Sequence, residues 1–330
     1  MIGDGMGLTQ VSAAVYSSKQ PLHIEQFPVV GFHKTHSFDN LRTDSAAGAT
    51  AFACGVKTYN GAIGIKPDTL PCKNIIEEAK ERGLATGLVA TSTIVHATPA
   101  AFIAHQHLRV MFEEIAKDIA HADVDLLIGG GLRYFNRRNI DELDLIKLLN
   151  KKGYQVHSFL EGELTSFRID YTKNFAYFTA NDEPLPVSQG RDYLPYASRF
   201  APYFLDKHSE NGFFLMIEGS QIDWAGHANQ GALLISELLD FDAAVGEVLE
   251  FARKDGETLV IITADHETGG LAINPGSKMR KLDLAFTSSD HTCTMVPVFA
   301  YGPMSELFSG IYENTEIYHK IRRALQFDTP

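Results

Sequence analysis

Residues 42–50 read Arg-Thr-Asp-Ser-Ala-Ala-Gly-Ala-Thr, which places one hydroxyl beside one carboxylate, ahead of a run of very small residues. Ser45 has the side chain of a helix N-cap, and residues 46–49 are expected to begin a helix that a ligand can approach closely. The start of a helix presents free backbone N–H groups and the positive end of a dipole, so it favours an anion such as phosphate. Capping alone is the commoner role of such a serine. The remainder of the chain decides between the two roles.

The overall composition argues against several kinds of partner. The chain has 330 residues, of which 45% are hydrophobic and 21% charged, an ordinary globular composition. Its formal net charge of −12 argues against a nucleic acid or an anionic membrane, because either partner needs a basic face. An acidic chain that handles an anionic substrate needs local positive charge, which bound metal ions supply.

The cysteines and the first residues leave the cellular compartment open. Cys54, Cys72 and Cys293 form neither a disulfide framework nor a thiolate zinc site. The sequence contains no apolar run long enough to span a membrane. Residues 1–7 resemble the end of a strand that runs into a glycine-rich turn. We therefore expect that the natural chain begins earlier, and the lack of a signal peptide carries no weight.

Strand-like and helix-like segments alternate along the chain. Strands are predicted at residues 2–7, 29–36, 85–91, 124–128, 213–217, 259–263 and 296–300. Helices are predicted from Ser45, over 74–82, from a Thr98 cap towards Arg109, and over 141–152, 234–252 and 316–325. Residues 154–200 are left unassigned, with a lid as one expectation. This alternation predicts an α/β fold, a single domain over residues 1–330 with a central, largely parallel β-sheet and helices on both faces.

Acidic and imidazole side chains follow directly on three of the predicted strands. Asp4, Glu218 and the Asp265-His266 pair each come after an apolar run. Ligands of open α/β sheets gather at the carboxyl ends of the strands, so these groups are expected to converge. Carboxylates packed together repel one another and raise each other's pKa, and bound cations remove that conflict. The convergence therefore favours a metal site.

A further carboxylate and imidazole are spaced as helical neighbours. Asp223 and His227 are four residues apart and share one face if this segment is helical. Asp and His without a thiolate suit a catalytic zinc ion with an open position. His291, near another strand, would complete such a group. The alternatives are a simple Asp223–His227 hydrogen bond and a loop histidine at position 291.

Seven motifs, taken in order, resemble the alkaline phosphatase family over nearly the whole chain. They are Ile-Gly-Asp-Gly-Met-Gly at 2–7, Thr-Asp-Ser-Ala-Ala at 43–47, Gly-Val-Lys-Thr-Tyr-Asn-Gly at 55–61, Ala-Thr-Pro-Ala-Ala at 97–101, Glu-Gly-Ser-Gln-Ile-Asp at 218–223, Thr-Ala-Asp-His-Glu at 263–267 and His-Thr at 291–292. The resemblance implies an alkaline-phosphatase-like fold and a catalytic domain with a serine nucleophile.

The resemblance also implies two zinc ions and one magnesium ion, together with the residues that handle phosphate. The expected ligands are Asp223, His227 and His291 for one zinc, Asp4, Asp265, His266 and the Ser45 hydroxyl for the other, and Asp4, Thr98 and Glu218 for magnesium. An oxygen-rich third set also suits a hard cation. Arg109, eleven residues after Thr98, is expected to grip two phosphate oxygens, although alone it reads as a surface arginine.

Three positions depart from a uniform family pattern. His96 is expected beside the third metal and Trp224 beside the substrate phosphate, where both vary within the family and tune metal preference and phosphate release. Cys293 stands where many relatives have glycine, and nothing in the sequence explains it.

The expected reaction is hydrolysis of phosphate monoesters through a phosphoserine on Ser45. Such reactions need accelerations of up to about 10²¹, whereas side-chain acid–base catalysis supplies about 10²–10⁴, which favours a metal site. A related phosphodiesterase or phosphomutase is one alternative, and a non-catalytic phosphate- or metal-binding protein is another. A sulfatase is disfavoured, because no arginine closely follows Ser45. The resemblance implies a periplasmic or secreted protein, and a homodimer is compatible with it.

Overall fold

A ten-stranded β-sheet forms the centre of the protein, in a computed structural model that describes residues 1–327. Fourteen strands occur within residues 1–327, and ten of them belong to this sheet. In chain order they are β1 Ile2–Gly3, β2 Val29–Lys34, β3 Ala85–Thr93, β4 Leu126–Gly130, β5 Gln155–Ser158, β6 Phe175–Phe178, β7 Phe213–Gly219, β8 Val260–Thr263, β9 Glu267–Thr268, β10 Leu271–Ile273, β11 Leu284–Phe286, β12 His291–Thr292, β13 Val296–Tyr301 and β14 Gly310–Glu313.

Helices fill most of the connections between the strands. The α-helices are α1 Leu8–Ser17, α2 Ser45–Cys54, α3 Ile75–Glu81, α4 Ala97–Ala101, α5 Phe112–His121, α6 Arg133–Asn136, α7 Leu145–Lys151, α8 Tyr193–Asp206, α9 Gln221–His227, α10 Gly231–Asp255 and α11 Thr315–Ala324. Short 3₁₀ helices cover His23–Gln26, Leu164–Ser166, Val187–Gln189 and Ser305–Phe308. No helix within residues 1–327 has both the length and the apolar character that crossing a bilayer requires.

The strand order in the main sheet is β14-β2-β13-β8-β1-β7-β3-β4-β6-β5. All neighbouring pairs are parallel except those of β13, which runs antiparallel to both β2 and β8. The short strand β1 lies at the centre, between β7 and β8. Two further pairs, β10 with β11 and β9 with β12, form small antiparallel sheets. The predicted α/β class with a largely parallel sheet is confirmed.

Apolar side chains cover both faces of the main sheet. Successive residues of a strand point to opposite faces, so Leu88 of β3 packs in one core cluster and Val89 in the other. The first cluster includes Phe52 of α2 and Ile115 of α5, and the second includes Phe241 of α10. Burial of strands on both faces explains why their sequences read as continuous apolar runs.

The predicted helix from Thr98 towards Arg109 is wrong in its start and in its length. Helix α4 ends at Ala101, and its N-cap residue is His96 rather than Thr98. Beyond α4, Ile63 and Gln106 exchange backbone hydrogen bonds of 2.9 Å in both directions, and the Arg109 N–H donates to Gly61 O at 2.7 Å. This pairing with a distant segment ends the helical path and carries Arg109 towards the start of α2.

Two other parts of the chain differ from the predictions. Helix α7 begins at Leu145 instead of residue 141, because the Asp144 carboxylate caps it by accepting from Lys147 N at 3.0 Å. Residues 154–200, left unassigned above, contain strands β5 and β6 and most of α8. Residues Leu194, Ala197 and Phe200 of α8 are buried against the second core cluster.

Candidate active site

The carboxyl ends of the three central strands meet at one edge of the sheet. Ile2 of β1 is in register with Glu218 of β7 and with Thr263 of β8. Asp4 therefore emerges beside Glu218, and Asp265 follows β8 at the same edge. All three carboxylates are 0% exposed. Because unpaired buried charges are costly, this placement calls for compensating positive charge.

A first group of side chains joins α9 to strand β12. The Asp223 Oδ1 atom lies 3.4 Å from Nε2 of His227 and 3.5 Å from Nε2 of His291. The two Nε2 atoms are 3.0 Å apart. Helix α9 places Asp223 and His227 on one face, four residues apart, as predicted.

The far side of each imidazole in this group is held by the backbone. Nδ1 of His227 lies 2.7 Å from Ser289 O, and Nδ1 of His291 lies 2.9 Å from Thr43 O. A carbonyl only accepts, so both Nδ1 atoms are the donors, and in the neutral, metal-ligating form of each ring the Nε2 lone pair points into the group. Two converging lone pairs beside a carboxylate suit a metal ion better than a hydrogen bond.

A second group surrounds His266, whose ring stacks on His291 with centroids 3.5 Å apart. Its Nε2 atom lies 3.2 Å from Asp265 Oδ2, 3.5 Å from Asp4 Oδ1 and 3.3 Å from Ser45 Oγ. Ser45 is 1% exposed and the other three side chains are fully buried. The serine hydroxyl thus lies at the junction of the two groups.

A third group lies on the other side of Asp4. Ligand atoms of Asp4, His96 and Glu218 lie within 4.8 Å of one another. Burial raises the pKa of Glu218 to about 8, against lowering by hydrogen bonds from the hydroxyls of Ser220, Thr98 and Ser92. Thr98, in α4, is therefore also close to this group.

The charges in the three groups are unbalanced without a cation. Burial, and then the neighbouring carboxylates of Asp265 and Asp223, raise the pKa of Asp4 well above its usual range. Neither carboxylate oxygen of Asp4 has a hydrogen-bond partner among residues 1–327. A cluster with this many carboxylates and imidazoles suits divalent cations. Such ions supply the positive charge that balances the carboxylates and the partner that the Asp4 oxygens lack.

The start of α2 differs from the prediction in one respect. The N-cap is Asp44, whose Oδ1 accepts from Ala47 N at 3.0 Å, and Ser45 is the first residue of the helix. The alternative role of Ser45, as a helix cap alone, is therefore wrong. Because Asp44 satisfies the helix start, the Ser45 hydroxyl is free to face His266.

Arg109, His96 and Trp224 lie beside the groups. Arg109 Nη1 is 3.1 Å from Asp44 Oδ2, and its Nη2 is 3.3 Å from His96 Nε2. Burial, followed by the charge of Arg109, lowers the pKa of His96 to about 3, so this imidazole is neutral. The His96 ring meets Trp224 edge to face at 6.0 Å. Because His96 is neutral, Arg109 is the positively charged side chain that pairs with Asp44.

Two further residues in this region take part in the contacts of the site: Thr268, which carried no signal in the sequence, and Glu267, which is the last residue of the motif at 263–267. Thr268 contacts both Asp223 and His266 through its hydroxyl. The carboxylate of Glu267 accepts from Gln10 and from the hydroxyl of Thr292. Thr268 lies three positions after Asp265, which is the one clue that the chain itself offers for it. Cys293 is exposed, and nothing in the structure explains it.

Fold and site together define an α/β protein whose buried carboxylates are grouped with imidazoles as ligands of divalent cations would be. The chain belongs to the alkaline phosphatase family, because the family model for alkaline phosphatase matches residues 1–282 and 276–327. It is accordingly an enzyme that hydrolyses phosphate monoesters. The family membership does not favour the phosphodiesterase, phosphomutase or non-catalytic alternatives.

Individual relatives agree with this assignment along most of the chain. Alkaline phosphatase 3 of Bacillus subtilis (strain 168) is 34% identical, over 99% of this chain and 88% of the relative. Alkaline phosphatase of Escherichia coli (strain K12) is 30% identical, over 98% and 85%. The structure of alkaline phosphatase from the Antarctic bacterium TAB5 is 43% identical, with a TM-score of 0.91, over 99% of this chain and 97% of that one. A mutant of the TAB5 enzyme, 42% identical over 98% and 96% with a TM-score of 0.90, is described with Mg bound.

Proposed function

We propose that this chain cleaves phosphate monoesters through a phosphoserine on Ser45, with two zinc ions and one magnesium ion as cofactors. One observation carries the proposal: the Ser45 hydroxyl lies 3.3 Å from His266 Nε2, where the two aspartate–histidine groups adjoin. A nucleophile in this position would face a metal ion held by the group of Asp4, Asp265 and His266. The proposal makes residues 1–330 a single catalytic domain.

The proposed ligands follow the three groups. Asp223, His227 and His291 would hold one zinc ion, Asp4, Asp265 and His266 the other, and Asp4, Thr98 and Glu218 the magnesium ion. When bound, two zinc ions stabilise the attacking and leaving oxygens of an in-line displacement. The oxygen donors of the third group are those that Mg²⁺ prefers, and the nearby His96 nitrogen tunes that preference.

The chain's own residues would bind and orient the phosphate. Ser45 Oγ loses its proton and forms the new bond to phosphorus as the bond to the alcohol oxygen breaks, and the departing alcohol takes up a proton. Water then attacks phosphorus from the vacated side, which restores the Ser45 hydroxyl and releases inorganic phosphate. Arg109 neutralises the equatorial oxygens of the transferred group with its guanidinium. Asp44 holds Arg109 at 3.1 Å, which orients the guanidinium before the substrate arrives. Trp224 flanks the phosphate position through its contact with His96.

The remaining proposals rest on the family resemblance alone. A periplasmic or secreted location follows from it, and a homodimer is compatible with it. Small phosphate monoesters are the proposed substrates, with no nucleic-acid-specific binding, in keeping with the net charge of −12.

The test is to trap the phosphoenzyme. Wild-type protein loaded with zinc and magnesium is mixed with a radiolabelled phosphate monoester and quenched in acid, and the label on the protein is counted. We expect label on the wild type and none on Ser45→Ala, with turnover of a nitrophenyl monoester reduced about 10³-fold or more.

Ser236→Ala is the matched control. Its hydroxyl donates to Leu233 O within α10, away from the site, so label and turnover are expected to match the wild type. Label that persists on Ser45→Ala would refute the assignment of Ser45 as the nucleophile. Full activity after removal of zinc by a chelator would refute the proposal that zinc ions are cofactors.

A further inference from the structure

Thr268 occupies the space between two glycines that adjoin proposed metal ligands. It is 0% exposed. A Cβ atom added to Gly5, next to Asp4, would lie 2.7 Å from Thr268 Oγ1. A Cβ atom added to Gly226, next to His227, would lie 3.0 Å from Thr268 Cβ. Gly5 therefore permits a close approach that a side chain would block, and a side chain at Gly226 would force Thr268 to shift.

The backbone of Thr268 ties the same surroundings together. Its N–H donates to Gly5 O at 3.2 Å, and its carbonyl accepts from Gln10 Nε2 at 2.9 Å. In the β9–β12 pair, Thr268 is in register with His291. The residue thus contacts the Asp4 turn, helix α9 and the strand of His291, which all carry proposed ligands.

The side chain of Thr268 joins the two aspartate–histidine groups directly. Its hydroxyl oxygen is hydrogen-bonded to Asp223 Oδ1 and lies 3.2 Å from His266 Nδ1. A hydroxyl has one proton to donate, and the carboxylate of Asp223 can only accept it. The Thr268 oxygen is then left as the acceptor for an Nδ1–H of His266. That tautomer leaves the Nε2 lone pair facing Ser45, Asp4 and Asp265.

We propose that Thr268 is a positioning residue that couples the two proposed zinc sites through one hydroxyl. It orients Asp223 in the first site and fixes the ligating tautomer of His266 in the second. The proposal rests on the proposed function, since it concerns ligands of the same cofactors. Partners of this kind orient metal ligands, and their loss typically lowers metal affinity about 10- to 100-fold.

The experiment compares Thr268→Val, which keeps the branched shape without the hydroxyl, with Thr268→Ser, which keeps the hydroxyl. Metal-free wild type and both variants are titrated with zinc in competition with a chromophoric chelator. We expect Thr268→Val to bind zinc about 10- to 100-fold more weakly and Thr268→Ser to bind within about threefold of the wild type. Equal affinity of the wild type and Thr268→Val overturns the role of Thr268 and leaves the proposed function standing. Failure of the wild type to bind zinc overturns both.

A second measurement does not depend on the folding of Thr268→Val. In the zinc-loaded wild type with ¹⁵N-labelled histidine, we expect a slowly exchanging Nδ1–H of His266 that is shifted downfield by its hydrogen bond. Thr268→Ser is expected to keep this signal. A wild-type His266 with no protected Nδ1–H overturns the proposal.

Discussion

Asp44 makes three kinds of contact at the start of α2. Its Oδ1 caps the helix at Ala47 N, both oxygens accept from Gly61 N at 3.1 Å, and Oδ2 pairs with Arg109 at 3.1 Å. The cap and the loop contact stabilise the fold locally, whereas the ion pair orients the guanidinium of Arg109, the proposed phosphate-binding group. Asp44 thereby links the stability of α2 to the geometry of the site.

Replacement of Asp44 should separate these contacts. Asp44→Ala is expected to lower the free energy of unfolding by about 1–2 kcal/mol, since an N-cap is lost. Asp44→Asn should lose less, because the amide oxygen still accepts from Ala47. Both changes release Arg109, so KM for a phosphate monoester should rise in both. Urea unfolding and steady-state kinetics measure the two effects.

Asp144→Ala is the matched control for Asp44→Ala. Asp144 caps α7 in the same way, by accepting from Lys147 N at 3.0 Å, but it contacts none of the proposed ligands. Asp144→Ala should therefore lower the free energy of unfolding and leave KM unchanged. An unchanged KM in Asp44→Ala would contradict the proposed orientation of Arg109.

At single positions, the sequence predicted which residue types form the site better than it predicted the role of each residue. Asp44 and Ser45 are adjacent and are both good N-cap residues, so propensity cannot choose between them. The choice depends on Gly61 and Arg109, which reach Asp44 through the fold. Thr268 had no signal of its own, because its partners come from three separate elements.

Among the helices and strands, apolar runs and capping residues were sufficient to predict the elements whose ends depend on local interactions. Helix α3 begins after Asn74, which forms a capping box with Glu77, and its predicted range is confirmed within one residue at each end. Strand β3 was likewise predicted, and it extends to Thr93 rather than 91. Such elements carry their own start and stop signals.

Elements that depend on distant contacts were not predictable. The helix expected to reach Arg109 is interrupted by the pairing of Gln106 with Ile63, some 40 residues away. Helix α8 contains Pro202 in its interior, a residue that usually argues against a helix. Burial of its apolar face against α10 outweighs that local cost.

Across the molecule, the buried acidic groups make the stability of the metal-free protein sensitive to pH. Burial raises the pKa of Glu218 from its ordinary 4.5 to about 8. The folded state therefore holds this proton between those values while the unfolded state releases it, so stability falls as the pH rises through that range. The hydrogen bond to Asp223 raises the pKa of His227 from 6.5 to about 9, with the same sign. The lowered pKa of Asp223 acts only below its ordinary value of 3.8.

The pKa of His96, lowered to about 3, and that of the Met1 amino group, lowered to about 5, have the opposite sign and act only below 6.5 and 8.0. Among the groups that titrate between about pH 5 and 9, more pKa values are raised than lowered, including those of Glu183 to about 7 and His105 to about 9, so the net effect is a fall in stability.

The midpoint of thermal unfolding in excess chelator is accordingly expected to fall as the pH rises from about 5 to about 9. With zinc and magnesium present the fall should be weaker or reversed, because metal ligands bind in their deprotonated forms. Glu218→Gln should flatten the chelated profile, since the amide does not titrate. A chelated midpoint that rises over this range would contradict the assigned charges.

The central claim is that backbone segments far apart in the chain gather side chains so that divalent cations handle the phosphoryl group. Its most direct test is anomalous diffraction on either side of the zinc absorption edge, from crystals grown with zinc and phosphate. We expect two zinc peaks about 3.5–4 Å apart, one at Asp223, His227 and His291 and one at Asp4, Asp265 and His266 beside Ser45. Zinc peaks confined to surface residues, with none in this cluster, would contradict the account.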